Sequence, residues 1–177
     1  MGIENIVVNL AVVFGQLVLS LAFAMGSVYL GLKLFDKLTD DIDEMAELKK
    51  GNVAVAILLG AIIFSIANVV EGGVTALMSS ISPDLSVPVM AAAFVIGLAN
   101  LIISLILAVF TIYVALSILD KITVGIDEFK ELKKGNVAVA IIMAAVLFAV
   151  SFVIRGAVAS MASSLSPQSV AAALGWA

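Results

Sequence analysis

The sequence contains no cysteine and no histidine, and its 177 residues include only nine Lys or Arg and thirteen Asp or Glu. Without cysteine there are no disulfides, thiolate metal sites or cysteine nucleophiles, and without histidine the commonest general base and metal ligand is missing. Soluble domains carry about 25% charged and about 45–50% apolar residues, whereas this chain has 12% and 63%. A water-soluble globule is excluded, and so is most of the equipment of an enzyme. The net charge of −4 argues against nucleic acid as a partner.

What the chain does have is long apolar runs. A hydrocarbon core of about 30 Å takes about 20 residues of helix at about 1.5 Å each. Ile6 to Leu32 carries no charge; Val53 to Val70 carries none before Glu71; Leu85 to Leu119 is uncharged; Val137 to Ile154 is uncharged before Arg155. Four transmembrane helices are predicted. The first is expected to stay in the mature protein, because its flank carries Glu4 rather than a cation and its length exceeds a signal peptide's apolar region. Lys33, Lys37, Lys49, Lys50, Lys121, Lys130, Lys133 and Lys134 all lie in or beside the first and third loops. The positive-inside rule therefore predicts loops 36–51 and 120–135 in the cytoplasm of a plasma-membrane protein, with both termini outside.

The second half repeats the first. An offset of 84 aligns Asp36 to Pro83 with Asp120 to Pro167 without a gap, with 26 of 48 positions identical, including Glu47 to Ile57 with Glu131 to Ile141. This predicts two two-helix repeats, 1–83 and 84–177. Two spans per repeat is an even number, so both copies enter the membrane the same way, related by a pseudo-two-fold axis along the membrane normal. The expected fold is all-α, a polytopic bundle of four transmembrane helices in two parallel-oriented repeats.

Two spans joined by an acidic-basic loop ending in Lys-Lys-Gly-Asn-Val-Ala-Val-Ala resemble the membrane family catalogued as domain of unknown function 350, the YjfL-like proteins. Its most specific part is Gly51-Asn52 with Ala54 and Ala56, matched at Gly135-Asn136 with Ala138 and Ala140. The resemblance implies two tandem copies in a bacterial or archaeal plasma membrane and brings no catalytic residue.

In the first loop Phe35, Leu38, Ile42 and Met45, and in the second Leu119, Ile122, Ile126 and Phe129, recur at i, i+3 and i+7 spacings. Each loop is predicted to hold a short amphipathic helix at the cytoplasmic interface, with a peripheral cytoplasmic protein as a candidate partner. Thr39 or Asp40 suits its start, Gly51 its C′ position, and Asn52 the cap of the following span. The mixed charges of these loops read as a solvated face, and neither metal nor cofactor is expected.

Inside the membrane, Glu71 and Arg155 are equivalent under the offset of 84 and predict an ion pair, the less costly arrangement for charges in lipid. Asn9, Gln16, Ser20 and Ser27 share one face of the first helix, Asn100, Ser104 and Thr111 repeat that stripe on the third, and Asn68 shares a face of the second with Gly72, Thr75 and Ser79. Such faces turn inward, to pack and hydrogen-bond between helices or to hold water. Enzymatic sites would need a Ser with His or Lys, an Asp pair or a His cluster in the spans, so no enzyme is expected. Two functions remain: a scaffold or accessory subunit, able to form homo-oligomers in the bilayer, or a small oligomeric channel or transporter using the stripes and the charge pair.

Overall fold

A computed structural model describes residues 3–36, 43–82, 86–164, 166–173 and 175. The described residues form helices joined by short turns, without strands: α1 (Ile3–Asp36), α2 (Glu44–Lys49), α3 (Val53–Ser79), α4 (Val87–Ile122), α5 (Glu128–Lys133), α6 (Val137–Ser164) and α7 (Pro167–Ala173). α1, α3, α4 and α6 are each long and apolar enough to cross a membrane. Their outer surfaces carry large apolar side chains such as Phe14, Leu17, Ile106, Phe110 and Val153, the inside-out pattern expected where hydrocarbon is the solvent.

α3 is the hub. It packs most extensively on α6 and α4 and also carries α1, whereas α1 touches little else. Half of the apolar stretch of α3 is buried, against 6% of that of α1. On the α6 side, residues 84 apart lie at the same level: the Phe64 and Phe148 rings meet edge to face at 4.8 Å, and Glu71 lies beside Arg155.

Close approach rests on glycine, because lipid gives apolar helices no reason to associate beyond packing and hydrogen bonds. A Cβ added at Gly97 of α4 would stand 2.7 Å from the Cα of Leu77, and one at Gly73 of α3 would stand 2.9 Å from the Cα of Leu101. Both obstacles are backbone and cannot swing aside.

The junctions that lead into α3 and α6 are built twice from the same parts. Asp43 caps α2 by accepting from Ala46 N, and Asp127 caps α5 by accepting from Lys130 N. Lys50 and Asn52 donate to Glu47 just as Lys134 and Asn136 donate to Glu131. Gly51 and Gly135 turn the chain at φ of 77° and 80°, a conformation that costs glycine little. Asn52 Oδ1 then accepts from Ala54 N and Val55 N to start α3, and its Nδ2 donates to Leu132 O of α5, tying the two junctions together.

One expectation needs correction here. The second loop does not hold one amphipathic helix from Leu119 to Phe129: α4 continues to Ile122, the chain turns through Gly125 at φ 88°, and α5 starts only at Glu128. The Thr123 hydroxyl bonds back to Leu119 O and meets the Glu128 carboxylate, which closes the turn. The predicted stripe is split accordingly, with Leu119 buried but Ile122 and Ile126 66% and 47% exposed. In the first loop Thr39, Asp40, Leu38 and Ile42 lie outside the described residues, and Asp43 rather than Thr39 or Asp40 caps the helix that follows.

Gly97→Val is expected to destabilise the bundle by about 1–3 kcal/mol through overpacking. Gly60→Ala, where an added Cβ meets nothing within 4 Å, should be neutral or slightly stabilising. Thermal denaturation of the purified variants checks this; equal effects would mean that α3 and α4 do not meet at Gly97.

Candidate functional site: a charge pair at the inner end of a cleft

α3 and α6 bring four polar side chains into one chain of contacts. Arg155 Nη2 lies 3.1 Å from Glu71 Oε2, and Arg155 Nη1 donates to Asn68 Oδ1 at 3.2 Å. Asn68 Nδ2 donates to Ser151 Oγ at 3.2 Å, and Ser151 in turn donates to Phe148 O of its own helix. The chain runs inward from half-exposed to buried: Glu71 and Arg155 are 52% and 42% exposed, whereas Asn68 and Ser151 are buried. Helical spacing explains the alignment, since 68 to 71 and 151 to 155 are one turn apart on each helix.

The pair opens into a cleft of about 450 Å³ between α3 and α6, lined by Glu71, Arg155, Thr75, Ser79, Ser163 and Ser166 among small residues. Gly72 lets the helices close at its inner side, where an added Cβ would lie 2.9 Å from a Val158 methyl. Glu71 lies eight residues before the end of α3, about 12 Å along the axis. In the other direction the seam is apolar: Leu58, Ile62, Met143 and Leu147 are fully buried, and Phe64 packs on Phe148. A second cleft of about 470 Å³ lies between α1 and α3, lined mainly by apolar groups and sharing Glu71 and Thr75 with the first.

The remaining stripe residues do not join this chain. Gln16 Nε2 donates to Met78 O and Ile81 O, binding α1 to the end of α3. Ser20 is half-buried and Ser27 buried, but Asn9 is exposed at a cleft beside Gln16 and Ser79. Asn100, Ser104 and Thr111 are buried in α4, yet the hydroxyls of Ser104 and Thr111 bond to carbonyls four residues back in their own helix rather than across to a neighbour. Asn100 Nδ2 and Ser65 Oγ are buried without a partner among the described residues. Ser151, Ser163 and Ser166 escaped sequence reasoning. Ser151 had a signal, since it stands one turn before Arg155 on the same face.

Outside the membrane, hydrogen bonds from Lys50 and Asn52 hold the Glu47 carboxyl below its ordinary range, and those from Asn136 and Lys134 do the same for Glu131. Gly51, Asn52, Gly135 and Asn136 thus sit in capping junctions. No cluster of three metal-ligating side chains occurs among the described residues.

The chain matches the profile of the family described as Domain of Unknown Function (DUF350) twice, over residues 9–106 and 93–177. It belongs to the DUF350 family. The two DUF350 matches begin 84 residues apart, the offset of the internal repeat, so this member carries two tandem copies. No curated protein and no solved structure matches the chain.

If the pair holds α3 to α6, Glu71→Gln and Arg155→Gln should each lower the thermal stability of the purified protein. The exchanged double variant Glu71→Arg with Arg155→Glu should recover most of the loss, with a coupling of about 0.5–3 kcal/mol. Additive losses in the double variant would show that the two charges act independently.

Proposed function

We propose that this DUF350 protein is a non-enzymatic, non-conducting membrane scaffold or accessory subunit. In this reading its two repeats stand the same way up about a pseudo-two-fold axis between α3 and α6, in a plasma membrane, with termini outside and α2 and α5 in the cytoplasm. The observation that carries the reading is that the polar cleft is blind. Its charges are neutralised as a pair, and beyond Asn68 and Ser151 the α3–α6 seam is closed by the buried Ile62 and Leu147, with Phe64 packed on Phe148 at its more exposed edge. An ion leaving the cleft inward would meet hydrocarbon side chains and the lone hydroxyl of Ser65, where an unpaired charge costs about 2.5–3.5 kcal/mol on insertion scales and more in simulations.

Further support comes from equivalent residues meeting in pairs, Phe64 with Phe148 and Glu71 with Arg155, as a two-fold axis between two parallel copies requires. The junctions at Asn52 and Asn136 are linked through Leu132, which joins the paired loops into one surface for a cytoplasmic protein. α2 and α5 are six residues each, too short to lie on a membrane as independent amphipathic helices. They serve this reading as capped corners that hold charged side chains outward.

The competing channel reading draws on the half-exposure of Glu71 and Arg155 and on oligomers that would line a pore with several copies. Proteoliposome flux decides between them. Vesicles carrying the wild-type protein should show potassium and proton flux equal to that of empty vesicles. A protein-dependent leak that Glu71→Gln alters would contradict the scaffold reading.

A further inference from the structure

The two clefts that flank α3 differ in polarity and in depth, and they meet. The α3–α6 cleft is the more polar of the two, with Glu71, Arg155, Thr75, Ser79, Ser163 and Ser166 set among alanines and a glycine, and it extends to the end of α3. The α1–α3 groove is mainly apolar, with Leu17, Leu21, Ala24, Ala67, Val70 and Val74, and it reaches at least a turn further from that end. Glu71 and Thr75 line both. The polarity thus follows the order of a phospholipid in a leaflet: charge and hydroxyls toward the membrane surface, hydrocarbon toward the midplane. α3 has 27 residues, about 40 Å of helix across about 30 Å of hydrocarbon. With the helix centred, a charge pair about 12 Å from its end therefore sits about 7 Å inside the boundary, within reach of a headgroup through the long Arg155 side chain.

The charges at the junction select the headgroup. A guanidinium carries five N–H donors, of which bonds to Asn68 and Glu71 take two, and its planar fork suits phosphate. The Glu71 carboxylate beside it accepts from a primary ammonium and repels a headgroup whose net charge is negative. We propose that this composite groove binds a zwitterionic phospholipid with a primary ammonium headgroup. Its phosphate meets Arg155, its ammonium meets Glu71, and one acyl chain lies along Ala24 and Ala67 between α1 and α3. The proposal does not depend on whether the bundle conducts.

Native mass spectrometry of the detergent-solubilised full chain tests it with phosphatidylethanolamine, phosphatidylglycerol and the chainless headgroup glycerophosphoethanolamine, the two lipids having identical acyl chains. The wild type should bind phosphatidylethanolamine about tenfold more tightly than phosphatidylglycerol and about a hundredfold more tightly than the chainless headgroup. Glu71→Gln should remove the preference between the two lipids. Ala67 is exposed and takes no part in the pair, so Ala67→Phe leaves the headgroup site intact; it should weaken binding of both lipids about tenfold while keeping their ratio. Equal binding of the two lipids by the wild type would overturn the proposal. So would an Ala67→Phe variant that binds like the wild type, or a chainless headgroup bound as tightly as the lipid.

Discussion

Hydrocarbon offers no hydrogen bonds, so every polar group on a membrane-spanning helix has to be satisfied by its own backbone, a neighbouring helix or an opening to water. In this chain the constraint is met most fully along the line where α3 lies against α6, whereas Ser65 and Asn100 each keep a buried group without a partner among the described residues. Asn68, Ser151, Arg155 and Glu71 satisfy one another in sequence, from a buried hydroxyl out to a half-exposed charge pair. The arrangement works because residues 84 apart stand at one level, so that a single ancestral position, once duplicated, supplied both partners of an ion pair. A repeat with two identical charges there would have faced like against like.

The bundle is nevertheless lopsided. α4 is fitted against α3 through Gly73 and Gly97, and the residues at the corresponding places in the other copy, Val13 on α1 and Ala157 on α6, are exposed. α1 instead lies along the edge of α3, held by Gln16 at the carbonyls that end α3 and by the close fit of Gly31 on Ile66. Its peripheral position opens the apolar groove beside α3. Divergence of the first and third helices has thus produced a groove on one side of α3 and a sealed contact on the other.

Much of this was legible in the residues. Run length alone located the four spans, because membrane thickness sets helix length. The offset of 84 paired Glu71 with Arg155, and the preference of asparagine for helix starts placed Asn52 at the head of α3. The helix of the second loop was misjudged because Leu119 and Ile122 continue the apolar period of α4, so one stripe spans a helix end and a turn; positive φ at Gly125 and the cap at Asp127 break it. Polarity did not say whom the stripes would bond, nor that Thr75 and Ser79 of α3 would stay exposed. Ser104 and Thr111 return to their own helix, since a hydroxyl four residues on from a carbonyl finds it without help from a neighbour. Asn9 stays exposed because it lies near the end of a helix that is covered on one side only. The contacts at Gly73 and Gly97 carried no readable mark beyond the glycines themselves, because which backbone a glycine admits depends on the packing of helices distant in sequence.

The claim on which the account turns is that α3 and α6 run side by side in the same direction, level for level. The native chain has no cysteine, so oxidative cross-linking in isolated membranes reads the level directly. Asn68→Cys with Ser151→Cys should form an intramolecular disulfide within minutes of adding a mild oxidant, seen as α3 and α6 peptides that stay joined after proteolysis. Asn68→Cys with Ser163→Cys, about 18 Å further along α6, should not. Linkage in the second pair and none in the first would contradict the account.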